Sequence, residues 1–400
     1  MPAREGRVSE VTLLIMTGVH EASEVERMMA GARQAITQDT IERAQGLPGL
    51  ARIVLSTNSQ PLAAWAGARG VDVELDPPEG SFHFGQSLRA LSEKYHAERL
   101  FYMGGGSGAL LSREEMARII ERLGSAEQIL ITNNYYSTDF AAFAPAAALA
   151  AIEPPSIDND LGWLLGEKAG LPNEALPRRA STLFDVDTPT DLMTLAPHPG
   201  AGQHARAFLK TLALDTAHIE QAMLPLVDRD AEVVVAGRVS ATVWEYLERE
   251  TACRVRVFAE ERGMRASGRL ARGEARSLLG FYYQQVGPRR FFETLAELGR
   301  AVFLDSRVLF AHLGVWPPAG DRYNSDLRLP DRILDRTVRE FTQGALSARV
   351  PVVLGGHSLV SGGMYALVEA AWLTSGAEVP RYVDHTVWNK SKQDHSQLVL

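Results

Sequence analysis

Short β-branched apolar runs alternate with longer stretches of helical periodicity along most of this chain, and that alternation restricts the fold to mainly parallel sheets covered by helices. In the first half, strands are expected at 11–16, 52–57, 71–75, 99–103 and 128–132. Helical patterns fall at 22–45, 60–69, 84–97, 113–123 and 159–169. The second half opens with a helical pattern at 203–224 and then alternates again. Its strands are expected at 232–236, 254–258, 301–304 and 350–354, and its helices at 241–250, 273–285, 289–299, 331–347 and 362–375. Between the two series, Ala196-Pro197-His198-Pro199-Gly200-Ala201-Gly202 stops any regular element with two prolines and two glycines. A length of 400 residues suits two α/β domains, each with its own core, so the expected division is 1–196, a linker at 197–202, and 203–400.

Charge narrows the partners. A net charge of −8 argues against nucleic acid and against an anionic membrane surface, both of which reward a basic protein. The single cysteine, Cys253, fits a reducing compartment and a small buried apolar role. No apolar stretch approaches the roughly 18 residues of a spanning helix, and the Ala-rich run 141–151 is interrupted by Pro145. The run Val11–Met16 is too short for a signal peptide and has no small-residue cleavage pattern, so it is expected to be a first buried strand in a cytoplasmic protein. The polar stretch from Asn389 to Gln397 suits a tail, or an arm reaching a second subunit of a homo-oligomer.

Two motifs carry the chemistry. Phe101-Tyr102-Met103 breaks into Gly104-Gly105-Gly106-Ser107-Gly108, where a backbone free of side chains lets a ligand lie on the main chain at a strand's carboxyl end. Some eighty residues on, Phe184-Asp185-Val186-Asp187-Thr188-Pro189-Thr190-Asp191-Leu192 is expected to be a strand entering a capped helix. Thr188 would be the N-cap, Pro189 the first helical residue and Asp191 the reciprocal partner of the cap. By alternation, Asp185 and Asp187 would share one face of that strand.

In this order and at this separation, the pair resembles the nucleotidyltransferases related to molybdenum-cofactor guanylyltransferase and to 2-phospholactate guanylyltransferase. Their motifs are of the types G-G-D-x-P-L-L and D-I-D-T-P-E-D-L, and the resemblance covers roughly residues 8–196. It implies a three-layer, Rossmann-like domain of the GT-A type in the first half. The nucleotide would lie against Thr17, Gly18, Gly104, Gly105, Gly106 and Ser107. Asp185 and Asp187 would help to hold Mg²⁺, an ion suited by oxygen ligands. The chain also departs from the pattern. Gly106 stands where the resemblance puts a metal-binding Asp, Gly108 stands where it puts Pro, and the first lysine of the chain is Lys94. Arg27 or Arg33 would have to supply the positive charge near the phosphates, as a planar fork rather than a point charge. Asp139 is the best substitute for the missing carboxylate, which makes Asp139, Asp185 and Asp187 the catalytic candidates.

Other segments suit binding. Asn133-Asn134-Tyr135-Tyr136-Ser137-Thr138-Asp139 follows a strand, precedes an apolar helix-like stretch, and would present amides and a carboxylate to a sugar, base or phosphate. His83, between Phe82 and Phe84, is placed either to stack on a base or to pack as a loop residue. After the strand at 350–354 comes Gly355-Gly356-His357-Ser358-Leu359-Val360, close to the G-x-S-x-G elbow of α/β-hydrolases but with Val360 at the fifth position. Gly356, His357 and Ser358 suit an anion-binding turn better. With the loop arginines Arg262, Arg265 and Arg269, and with Asp305, Arg307 and His312 at another strand end, they form a second-half candidate site for an anionic molecule. Three readings therefore stand: nucleotidyl transfer to a phosphorylated or carboxylated acceptor, nucleotide binding without turnover, and chemistry on an anionic small molecule in the second half.

Overall fold

The computed structural model describes residues 10–19, 22–76 and 82–376. The polar tail at 389–397 lies outside them. The first half forms a seven-stranded sheet from β1 (Val11–Thr17), β2 (Leu50–Thr57), β3 (Asp72–Leu75), β4 (Arg99–Gly104), β5 (Ile129–Thr132), β6 (Phe140–Ala144) and β7 (Asn173–Ala175). Its order is β3-β2-β1-β4-β6-β5-β7, and only β6 runs antiparallel to its neighbours. The second half forms a four-stranded, all-parallel sheet from β8 (Glu232–Gly237), β9 (Arg254–Ala259), β10 (Ala301–Asp305) and β11 (Val352–Gly355), in the order β11-β10-β8-β9. Parallel strands buried on both faces need continuous apolar side chains, and all seven residues of β1 and all five of β10 are buried. In both sheets the strand order reverses once, between β1 and β4 and between β8 and β10. At such a point the connecting chains diverge and leave a crevice at the carboxyl ends of the strands.

Several expected elements differ. Residues 140–144 are strand, not helix. The Ala- and Phe-rich run closes the gap between β4 and β5, and cross-strand pairing overrides the helical preference of alanine. Residues 184–187 are extended but belong to no sheet, so Asp185 and Asp187 are not placed by strand alternation. Instead, Val186 N–H donates to Gly106 O at 3.2 Å and ties the segment to the glycine turn. The cap beyond it forms as expected: Pro189 opens the helix Pro189–Leu195, and the Asp191 carboxylate accepts from Thr188 N–H at 2.8 Å. The pattern at 203–224 divides into helices Gln203–Thr211 and Ala217–Met223. The patterns at 273–285 and 289–299 form one kinked element, Leu278–Leu298, bent at Gly287-Pro288, where Gly287 has φ 74° and proline removes a helical donor. Helices Arg307–His312 and Ala319–Asp326 are additional to the expected elements: the first is too short to show a helical period, and the second is short and polar-rich.

The largest apolar cluster draws side chains from both halves. Met29, Ile36, Phe184 and Leu192 pack with Val233, Phe303, Val353 and Met364. Within 197–202, Pro199 and Gly200 are exposed while His198 and Ala201 are buried. No helix among the described residues is long and apolar enough to cross a membrane.

Candidate active site

The crevice at the carboxyl ends of β1 and β4 is a cavity of ≈ 420 Å³ lined by Thr17, Gly18, Arg33, Tyr102, Gly104–Ser107 and the carboxylates Asp139, Asp158, Asp185 and Asp187. Its floor is main chain. β1 and β4 run in register up to Met16 and Gly104, and Gly105 N–H then donates to Met16 O at 3.1 Å. A Cβ on Gly105 would stand 2.1 Å from Thr17 Oγ1, so only glycine permits this approach. Thr17 Oγ1 is buried at the cavity wall with no hydrogen-bond partner among the described residues. A buried hydroxyl without a partner costs about 1–3 kcal/mol, which a ligand atom can recover.

Each carboxylate is held from a different element. Asp139 ends the loop between β5 and β6; its carboxylate accepts from Asn133 Nδ2 at 2.8 Å, and Asn133 Oδ1 accepts from its N–H at 3.1 Å. Asp158, just ahead of helix Leu161–Glu167, accepts from Tyr102 Oη at 3.1 Å. Asp185 caps the Val186 N–H with Oδ1 at 3.0 Å, and the Asp187 carbonyl accepts from Tyr323 Oη at 3.2 Å. Crowding shows in the protonation. Burial, followed by the charges of Asp187, Asp139 and Asp158, holds Asp185 well above the ordinary carboxylate range. Burial also raises Asp139 despite the Asn133 amide, with Asp158 and Asp187 adding to the shift. Burial pushes Asp158 up to about 6, with Asp187 adding to the shift and the Tyr102 hydrogen bond opposing it.

The donors are all oxygens, as a hard divalent cation prefers, and the raised protonation of Asp139, Asp158 and Asp185 marks negative charge that the surrounding protein does not neutralise. Among the described residues, no group of three or more His, Cys, Asp or Glu side chains converges on one point as a complete cage. Mg²⁺ is commonly held by one or two carboxylates plus substrate phosphates, so Asp185 with Asp187 or Asp139 fits the ion when a nucleotide completes the shell. Position 106 cannot contribute. A Cβ there would lie 2.9 Å from both Asp185 Oδ1 and Val186 O, so this backbone has closed over the place where the resemblance puts a carboxylate.

A second cavity, of ≈ 510 Å³, opens from the same carboxylates toward the second sheet. Asn133 and Asn134 line its first-half wall, and Arg262, His357, Ser358 and Tyr365 line the other. Ser358 is fixed there: its hydroxyl donates to Asp191 Oδ2 at 2.6 Å, and the same oxygen accepts from Thr188 Oγ1 at 2.8 Å. Burial raises Asp191 to about 7 despite these bonds. A serine hydroxyl committed to a buried carboxylate, with no hydrogen bond to His357, lacks the arrangement of an activated nucleophile. His357 is itself held down to about 4 by burial and by Arg238, so it is neutral near pH 7.

The structure divides the remaining candidates. Arg307 is buried in a fork with Asp326, at 3.0 and 2.5 Å. Asp305 is buried against Arg238, at 2.6 and 3.0 Å. Arg269 pairs with Glu261 at 2.6 Å, and Arg265 stacks 5.2 Å from the Trp316 ring. His312 meets Gln284 at 3.1 Å and accepts from Ser277 N–H at 3.3 Å. Gly356 packs on Thr188. None of these six lines the larger cavity. His83 lines neither cavity; its Nδ1 accepts from Gln86 N–H and caps helix Phe84–Lys94. Asp158, Tyr102 and Arg178 are among the lining residues that sequence reasoning passed over. Asp158 sits in Asp158-Asn159-Asp160 before a helical pattern, where an acidic residue looks like a cap.

These protonation states set a pH dependence for the metal-free protein. Asp158 at about 6 and Asp191 at about 7, with Asp139 and Asp185 also raised, bind protons more tightly folded than unfolded. Their stabilisation is complete below the unfolded value of about 4 and is lost as pH rises through the folded values. His198, His218 and His357, each lowered to about 4 by burial, act oppositely and gain stability as pH rises through their unfolded value of about 6.5. The two sets partly cancel below about pH 6.5, and above it only the carboxylates remain. Urea denaturation in a chelating buffer should therefore show stability falling from about pH 6.5 to about pH 8, by about 1.4 kcal/mol per pH unit for each proton released. A rise over that window would contradict the crowded-carboxylate description.

No protein-family model matches the sequence, and no curated protein matches it. Among solved structures, the chain is similar to a candidate nucleotide-diphospho-sugar transferase from Desulfovibrio desulfuricans, at 15% identity and a TM-score of 0.39, over 51% of this chain and 95% of that one. A cytidylyltransferase from Leptospira borgpetersenii is similar at 12% identity and a TM-score of 0.36, over 51% and 93%. A nucleotidyl transferase from Methanothermobacter is similar at 14% identity and a TM-score of 0.36, over 50% and 99%.

Proposed function

We propose that this protein is a nucleotidyltransferase-like enzyme that binds a nucleoside triphosphate over Thr17 and Gly104–Ser107 and transfers its nucleotidyl group to an acceptor in the adjoining cavity. The observation that carries the reading is that one set of carboxylates, Asp139, Asp158, Asp185 and Asp187, lines both cavities. Substrates filling the two spaces would meet over it. In this reading residues 1–196 hold the nucleotide, residues 203–400 complete the acceptor side, and 197–202 is the joint.

The chemistry is in-line displacement. An acceptor oxygen forms a bond to the α-phosphorus, the bond from that phosphorus to the bridging oxygen breaks, and pyrophosphate leaves. The bare backbone of Gly104–Gly106 lets the phosphates approach the main chain, and the unpartnered Thr17 hydroxyl offers them a hydrogen bond. Arg33, on the cavity wall, supplies fixed positive charge. Asp185, with Asp187 or Asp139, would hold Mg²⁺, which when bound offsets the charge of the phosphates. Binding without turnover is favoured by one observation, the closure of position 106 to any side chain.

Thermal denaturation with each nucleoside triphosphate, with and without Mg²⁺, tests the proposal. One nucleotide at about 100 times its dissociation constant should add about 2.7 kcal/mol to stability when Mg²⁺ is present. No shift with any of them would contradict the reading.

A further inference from the structure

The larger cavity is lined by groups of opposite charge. Four aspartates line it from the first half, and at the end lined by His357 and Tyr365 the charges of Arg262 and Arg178 reach those two rings. Arg178, after β7, and Arg262, after β9, both line it and are exposed. Neither has a carboxylate at ion-pair distance or a hydrogen bond among the described residues. That contrasts with neighbouring Arg238, whose charge is spent on Asp305. Two helices also begin at this wall. Ser240 Oγ accepts from Val243 N–H at 3.2 Å, which leaves the N–H groups of Ala241 and Thr242 at the start of helix Ala241–Glu250 without an intrahelical acceptor. Ser361 and Gly362, where helix Gly362–Ser375 starts, lie on the same wall. Both N-termini place positive dipole ends there. His357 stands among these groups as a ring kept neutral chiefly by burial, with Arg238 and Arg262 adding to the effect and Asp305 opposing it.

We propose that this end of the cavity is an anion subsite, built by Arg178 from the first half and Arg262 from the second with the two helix N-termini, that receives a phosphate or carboxylate group. Guanidinium forks match either group bidentately. The aspartates at the other end repel an anion, so an occupant is held with its anionic group toward the second sheet and its reacting end toward the carboxylates. That this occupant is the acceptor rests on the nucleotidyl-transfer reading; that the subsite takes an anion does not.

The test is calorimetric titration of the full chain with inorganic phosphate and, separately, with succinate, in the absence of nucleotide. At least one should bind. Arg178→Gln and Arg262→Gln should each weaken binding about tenfold or more, and together abolish it, since each removes charge-assisted hydrogen bonds to the anion. Arg289→Gln, a remote exposed change, should leave it unaltered. Both arginines are exposed and lack partners among the described residues, so the variants should fold. Phosphate binding alone assigns a phosphorylated occupant, and succinate binding alone a carboxylated one. Failure of both anions to bind, or binding that survives the double substitution, overturns the subsite. Arginine-dependent phosphate binding in a protein that takes up no nucleotide would keep the subsite and reject the nucleotidyl-transfer reading instead.

Discussion

Gly362→Ala is expected to destabilise the protein by about 3 kcal/mol or more, the upper range for overpacking a closed site. A Cβ at this position would stand 1.9 Å from Leu183 O, 2.4 Å from Leu183 C and 2.7 Å from Phe184 Cα. All three are main-chain atoms, so no side chain can turn aside to admit the methyl group. The contact lies where the first turn of helix Gly362–Ser375 presses on the backbone just ahead of Asp185. Relief of the clash must therefore move either the helix start that lines the anion end of the cavity or the segment that carries the carboxylates. Urea denaturation checks the magnitude, and nucleotide binding by the folded fraction checks the displacement. A variant within about 0.5 kcal/mol of the parent would mean that the two halves are not in contact as described.

How much of this was legible in the sequence follows from what each signal depends on. β1, β4 and β10 are continuous apolar runs because both faces of a parallel sheet are buried, and such runs are visible without any partner. β6 was not visible as a strand, because Phe140–Ala144 owes its conformation to β4 and β5 on either side. Asp185 and Asp187 were recognised as site residues for a reason the structure replaces. They face the cavities because Val186 is tied to Gly106 O, not because they alternate on a strand. The arginine-rich loop shows the opposite limit. Arg265, Arg269 and Arg262 are alike in sequence, but Trp316 and Glu261 occupy the first two and leave the third to the cavity. Nothing local distinguishes them, since the distinction lies in which partner the fold brings near. The same holds for Ser358, whose bond to Asp191 joins residues far apart in the chain.

The second large effect concerns the carboxylates themselves. Asp139→Asn/Asp185→Asn replaces two carboxyls whose ionisation the fold disfavours with neutral amides of nearly the same shape, so the fold should survive and the metal-free protein should become more stable at about pH 8, where the unfolded parent gains from ionising both groups and the folded parent does not. Binding should change the other way. A nucleoside triphosphate with Mg²⁺ needs those oxygens, and their loss should weaken binding about 100-fold or more, equivalent to about 2.7 kcal/mol. Calorimetric titration of the stabilising nucleotide into the parent and the double variant, each with and without Mg²⁺, measures this directly. The account predicts Mg²⁺-dependent binding to the parent and its loss in the variant; equal binding to both proteins, indifferent to Mg²⁺, would contradict it.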